Sequence, residues 1–225
     1  MCGRFTLALS PQQLELAFPW LAIHPELTPS YNIAPSQRVA VVPNREERGV
    51  ELFQWGLIPH WAKDRKIGNR MINARCETLA EKPSFRAAYR RRRCLVLADG
   101  FYEWKKAPDR RTKIPIYVRM RSGEPFAFAG LWEVWRGPDG VPVHSCAIIT
   151  TGPNALLEPI HPRMPVILPR ESYQQWLEPD EQPPARLATL LKPYPAAEMT
   201  AYPVSTLVNS PRNNSPACIA PAGHL

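Results

Sequence analysis

No apolar run in the sequence approaches the ~18–20 residues that span a bilayer, so no membrane partner is expected. The start of the chain has neither a basic segment nor an apolar one behind it, and no secretory signal is read there. Cysteine is scarce. Cys2, Cys76, Cys94, Cys146 and Cys218 are odd in number, widely spaced and without a Cys-x-x-Cys pair. This argues against a disulfide framework and against a zinc site, and it suits a reducing, intracellular compartment. A Gly-x-x-x-x-Gly-Lys loop is missing, which argues against nucleotide hydrolysis. Internal repeats and heptads are missing too.

What is present is an ordinary globular mixture. Of 225 residues, 44% are hydrophobic and 21% charged, enough to bury a core in one domain or at most two. Proline is abundant at 27 and spread along the whole chain, which predicts many loops and short elements rather than one disordered linker. The formal charge is +8, and it is concentrated. Between Arg86 and Lys113 there are ten Lys/Arg against three acids, a balance of +7 that leaves the rest nearly neutral. Such a run is either a solvated face or the footprint of a polyanion, with nucleic acid first.

Hydrophobic periodicity predicts strands at 5–9, 38–42, 50–57, 94–99, 101–106, 114–120, 126–135, 145–151 and 164–168. Residues 71–75 read as a short extended piece and 199–205 as a last strand. Ser10-Pro11 is a helix start for the segment that follows. Residues 84–93, 171–177 and 184–191 read as helices, with Arg86, Arg90 and Arg93 on one face of the first. The expected class is α+β: a mixed, largely antiparallel sheet, curled toward a barrel and flanked by helices. One domain over 1–225 is expected, with an irregular tail from about residue 209 and a C-terminus that frays.

The chain opens Met-Cys-Gly-Arg-Phe. A small second residue permits removal of Met1, after which Cys2 carries an amine and a thiol on adjacent carbons. An α-amine has a pKa of ~7.7–8.0 against ~10.4 for lysine, so roughly a quarter of it is free base near neutrality. It attacks an aldehyde to give a Schiff base, and the thiol then closes a five-membered thiazolidine. The bland alternative is a small residue chosen for processing only. In WGLIPHW (55–61) two tryptophans flank a proline, as core anchors or as a platform or wedge for bases. In INARCET (72–78), Asn73, Arg75 and Glu77 alternate and so share one strand face, which in the bland reading is simply solvated. Glu103 in FYEW is either exposed or held in an apolar pocket with a raised pKa. His161 and Arg163 lie between two prolines in IHPRMP, whereas His24, His60, His144 and His224 have less suggestive settings.

Taken in order, MCGRF, YNIAP, WGLIPHWA, INARCET, KPSFR, RRCLVLADGFYEW, FAFAGLWEVW, AIITT and HPRMPVIL resemble the SRAP (SOS response-associated peptidase) family over about three-quarters of the chain. The last sixty residues match weakly. The resemblance implies covalent capture of abasic sites in single-stranded DNA, a lyase-like chemistry. It implies Cys2 as nucleophile, Asn73 holding the ring or sugar, Glu103 as acid/base beside the amine, and His161 assisting sugar opening and reversal. Arg4, Arg75 and Arg163 would bind phosphates and Trp55 would stack or splay DNA. Arg86 and Arg90 from the basic stretch would add backbone contacts. No cofactor and no metal is implied, and a monomer is expected, cytoplasmic and nucleoid-associated in a bacterium or nuclear in a eukaryote. Either the protein itself or an aminopeptidase removes Met1. Three other readings stay open: an N-terminal-nucleophile amidohydrolase, a thiol peptidase using Cys2 and His161, and a non-covalent single-strand binder.

Overall fold

A computed structural model describes residues 2–24, 26–107 and 112–223. Met1, His224 and the Asp109, Arg110 and Arg111 portion of the basic stretch lie outside the described residues. The strands, in chain order, are β1 (Phe5–Leu7), β2 (Ser30–Ile33), β3 (Arg38–Pro43), β4 (Glu51–Trp55), β5 (Asn73–Arg75), β6 (Arg93–Ala98), β7 (Gly100–Lys106), β8 (Lys113–Met120), β9 (Phe126–Arg136), β10 (Pro142–Thr151), β11 (Met164–Pro165), β12 (Ile167–Leu168) and β13 (Met199–Pro203). The helices are α1 (Pro11–Ala17), α2 (Arg86–Arg91), α3 (Tyr173–Trp176) and α4 (Pro184–Ala188).

Five strands pair in a ring. β10 pairs with β4, β4 with β3, β3 with β6, β6 with β9, and β9 returns to β10. Closure removes the exposed edges that an open sheet must protect. Only the β4–β10 pairing within this ring is parallel. The inner strands are buried on both faces: every residue of β6, and the first eight of β9, are buried. Glycine permits the closest approach. A Cβ at Gly130 would stand 2.8 Å from Cys94 Sγ and 3.0 Å from Val96 Cγ2. The second sheet, β13-β8-β7-β1-β2, is antiparallel throughout. The main core draws on both sheets, with Phe5 and Val118 from one and Val96 and Phe128 from the other. The α+β, barrel-like class is therefore observed.

Local signals held where they were strong. Ser10 caps α1 with Gln13 in a reciprocal capping box, Pro11 occupies the first turn and Leu14 is buried. Two expectations need correction. The basic helix is shorter than expected, because Arg93 leaves it to start β6 and is fully buried. Its guanidinium donates to the carbonyls of Trp176, Tyr89, Arg90, Glu178 and Asp180, a set that only a long five-donor side chain satisfies. The single strand expected at 164–168 is split: β11 pairs with β10, β12 with β9, and Val166 bonds between them to Ile149 and Ala129. Residues 209–218 are irregular and tied down. Asn32 in β2 donates to the carbonyls of Val208, Ser210 and Asn213, and Cys218 is fully buried.

Candidate functional site

The site lies where the two sheets meet. β1 runs antiparallel to β7, with Phe5 opposite Phe101, and Tyr102 N donates to Arg4 O at 2.9 Å. That register carries the segment before β1 alongside Glu103. Cys2 is fully buried there, its thiol 3.9 Å from Arg4 O. Asn73 comes from the other sheet, in register with Ile148 of β10, and its amide donates to Cys2 O at 2.8 Å. Glu103 is 2% exposed, and His161 Nδ1 is 4.0 Å from its Oε1. A tight turn orients the imidazole, since Arg163 N donates to His161 Nδ1 at 3.1 Å. Cys2, Asn73, Glu103 and His161 therefore converge from four separate stretches of chain.

Burial sets the proton affinities. It lifts the Glu103 carboxyl from its ordinary value of 4.5 to about 7. It also raises the Cys2 thiol, and the Glu103 charge pushes the same way. Burial lowers His161, with the neighbouring Arg163 and Lys113 charges contributing. Near neutral pH the site thus holds a neutral thiol, a neutral imidazole and a carboxyl poised to give or take a proton. Among the described residues no group of three or more His, Cys, Asp or Glu side chains could hold a metal ion. No helix among them is long and apolar enough to cross a membrane.

The remaining candidates separate. Arg4 Nη1 donates to Asn32 Oδ1 and Val208 O, and its guanidinium lies 5.8 Å from the Trp104 ring. Arg75 is exposed at the end of β5. Arg163 pairs with Glu77 at 2.5 Å. The strand through Asn73 stops at Arg75, so Glu77 sits on a single 3₁₀ turn, Cys76–Thr78, rather than on a shared strand face. Arg86 and Arg90 are exposed and line a cavity of about 350 Å³ with Arg91 and Glu181. None of its lining residues belongs to the Cys2 group. Trp55 needs correction: it is fully buried, packs edge-on to Phe5 at 5.0 Å and donates to Ile72 O, so it offers no face to a base. Trp61, at the other end of the same loop, is 50% exposed. Sequence reasoning gave no role to Asn32, because SYNI is a short, half-polar stretch and the burial of its asparagine shows only in the fold. The Glu77–Arg163–Thr150 grouping had no signal at all, because it depends on β5, β10 and β11 lying side by side.

Known proteins match this chain along nearly all of its length. The protein YoqW of Bacillus subtilis, named an abasic site processing protein, is 51% identical over 222 residues, covering 97% of this chain and 99% of its own. The HMCES protein of Rattus norvegicus, named likewise, is 33% identical over 235 residues, covering 88% of this chain and 66% of its own. A crystal structure of a protein from Bacteroides thetaiotaomicron superposes with a TM-score of 0.87 at 28% identity, covering 98% of this chain and all of the other. The model of the SOS response associated peptidase family matches residues 1–211, and with these relatives it shows that the chain belongs to the SRAP family.

Proposed function

We propose that this protein processes abasic sites in single-stranded DNA by forming a thiazolidine cross-link through Cys2 once Met1 is removed. The observation that carries the reading is the meeting of Asn73 and His161 with the buried Cys2 and Glu103 in one cluster. The relatives' names, which refer to abasic sites, point the same way.

The chemistry follows from the groups in place. An abasic sugar is mostly a closed hemiacetal, and the neutral imidazole of His161 assists proton transfer as it opens to the aldehyde. The Cys2 amine adds to that carbon. The addition leaves an ammonium and an alkoxide, and Glu103 carries the two nitrogen protons in turn to that oxygen, so that water leaves and a neutral imine remains. The thiol then adds to the imine carbon, forming the C–S bond while its proton passes to nitrogen. A carboxyl near 7 suits both directions of transfer at neutral pH. Asn73 holds the Cys2 carbonyl, which fixes amine and thiol relative to the incoming carbon. Arg75 and the exposed arginines of α2 are available to DNA phosphates, and Trp61 to a base.

The thiol peptidase reading is disfavoured. Such an enzyme needs a lowered thiol pKa beside a cation, whereas burial and the Glu103 anion both raise Cys2. The test is incubation with abasic single-stranded DNA followed by intact-mass measurement and a denaturing gel. The expected product is a reductant-independent adduct on a chain lacking Met1, absent from Cys2→Ala. Equal adduct from Cys2→Ala, or from protein that retains Met1 throughout, overturns the mechanism. Retained binding without any adduct would leave a non-covalent binder, and glutaminase activity would indicate the amidohydrolase.

A further inference from the structure

The guanidinium of Arg163 is already occupied. Nη1 and Nη2 donate to the two carboxylate oxygens of Glu77 at 2.5 and 3.0 Å, a two-pronged pairing of planar groups. Nη2 also donates to Thr150 O at 2.6 Å. The two partners differ in kind. Thr150 is a fully buried residue of β10, and its carbonyl is fixed by the barrel. Glu77 sits on a single turn with 52% of its side chain exposed, against 18% for Arg163. Its carboxylate is the solvent side of the pair. To a guanidinium, a carboxylate and a phosphate look alike, each offering two anionic oxygens to a forked donor.

We propose that Glu77 is a specificity-determining residue whose carboxylate stands where a DNA phosphate must go, so that only a strand able to displace it engages Arg163. This rests on the single-stranded DNA reading above. An arriving strand exchanges one anion for another at Arg163 and gains little there, while the displaced carboxylate remains beside the backbone and repels it. Undamaged strands, which make no bond at Cys2, are held back. Abasic strands recover the loss by reacting. The exchange is not a pH switch at neutrality, because Arg163 holds the Glu77 carboxyl below its ordinary range and keeps it charged.

The test is fluorescence anisotropy with an undamaged single-stranded oligonucleotide, using wild type, Glu77→Gln, Arg163→Gln and the double variant. Thermal melts of all four check folding. Glu77→Gln should bind roughly fivefold tighter, the upper range for a half-exposed ion pair. The gain should vanish in the Arg163→Gln background. A Glu77→Gln protein that binds as wild type or more weakly reduces Glu77 to a support for Arg163 and overturns the proposal. So does a gain that persists without Arg163, which would be general charge relief. Adduct formation on abasic strands is scored separately. Lost adduct with the Arg163-dependent gain intact removes the Cys2 chemistry alone, whereas adduct without the gain removes the role of Glu77 alone. Absence of strand binding by all four proteins, together with absence of any adduct, overturns both.

Discussion

Glu103 shows how one buried side chain links stability to chemistry. Its folded pKa of about 7 lies above the ordinary 4.5, so between those values the folded state holds a proton that the unfolded state has lost. Its contribution therefore destabilises as pH rises through that window, and the full penalty applies above about 7. Below about 4.5 both states are protonated and the penalty is gone. Glu103→Gln removes the charge and keeps the shape. It should raise stability at pH 8 by on the order of 3 kcal/mol at most, with the gain fading toward pH 4.5. Denaturant titrations across that range will read it. The same variant should slow cross-linking by ~10²–10³-fold and erase a pH inflection near 7 from the rate. A variant both more stable and less reactive marks a residue kept for function at a cost to the fold.

At the scale of elements, the segment after β13 does more than trail from the domain. Asn32 is 1% exposed, accepts from Arg4 and donates to three carbonyls of residues 208–213, while Asn214 accepts from Tyr31 N. Asn32→Ala strands several of these groups and should cost about 2–3 kcal/mol. Hydrogen exchange should register this as faster opening at 205–218 and around Arg4. This linkage explains what was and was not legible in the sequence. The strands β6 and β9 announce themselves because a strand buried on both faces must be apolar throughout. α1 is legible because its cap is local. β2 carries no such signal, since its short, half-polar stretch takes its form from β1 on one side and the C-terminal segment on the other. Arg93 looked like one more helix-face arginine, and only carbonyls from residues 176–180 reveal it as a buried brace. At the site, the residue types proposed a chemistry, but no spacing along the chain could show that Asn73 reaches Cys2 O. The family resemblance supplied that grouping.

For the molecule as a whole, the +7 of the Arg86–Lys113 stretch overstates what a strand of DNA meets. Arg93 is buried, Arg91 pairs with Glu181 at 2.8 Å, and Arg92 pairs with the buried Glu133 at 2.7 Å. Arg86 and Arg90 remain at the surface, the latter 3.5 Å from Glu181. If they touch backbone, replacing both with glutamine should flatten the logarithmic salt dependence of single-strand binding by roughly 0.7 for each phosphate that is no longer neutralised. An unchanged slope would make them a solvated face. The convergence of the site has a further consequence, which concerns time. Cys2 is made long before Asn73, Glu103 and His161, the residues that later enclose it. At ~5–20 residues per second, roughly 8–30 s separate its synthesis from that of His161. Throughout that interval the pocket does not exist and the start of the chain is open to processing enzymes. Afterwards Cys2 is fully enclosed, so the removal of Met1 that the proposed chemistry requires is expected during translation or through the protein's own folded groups.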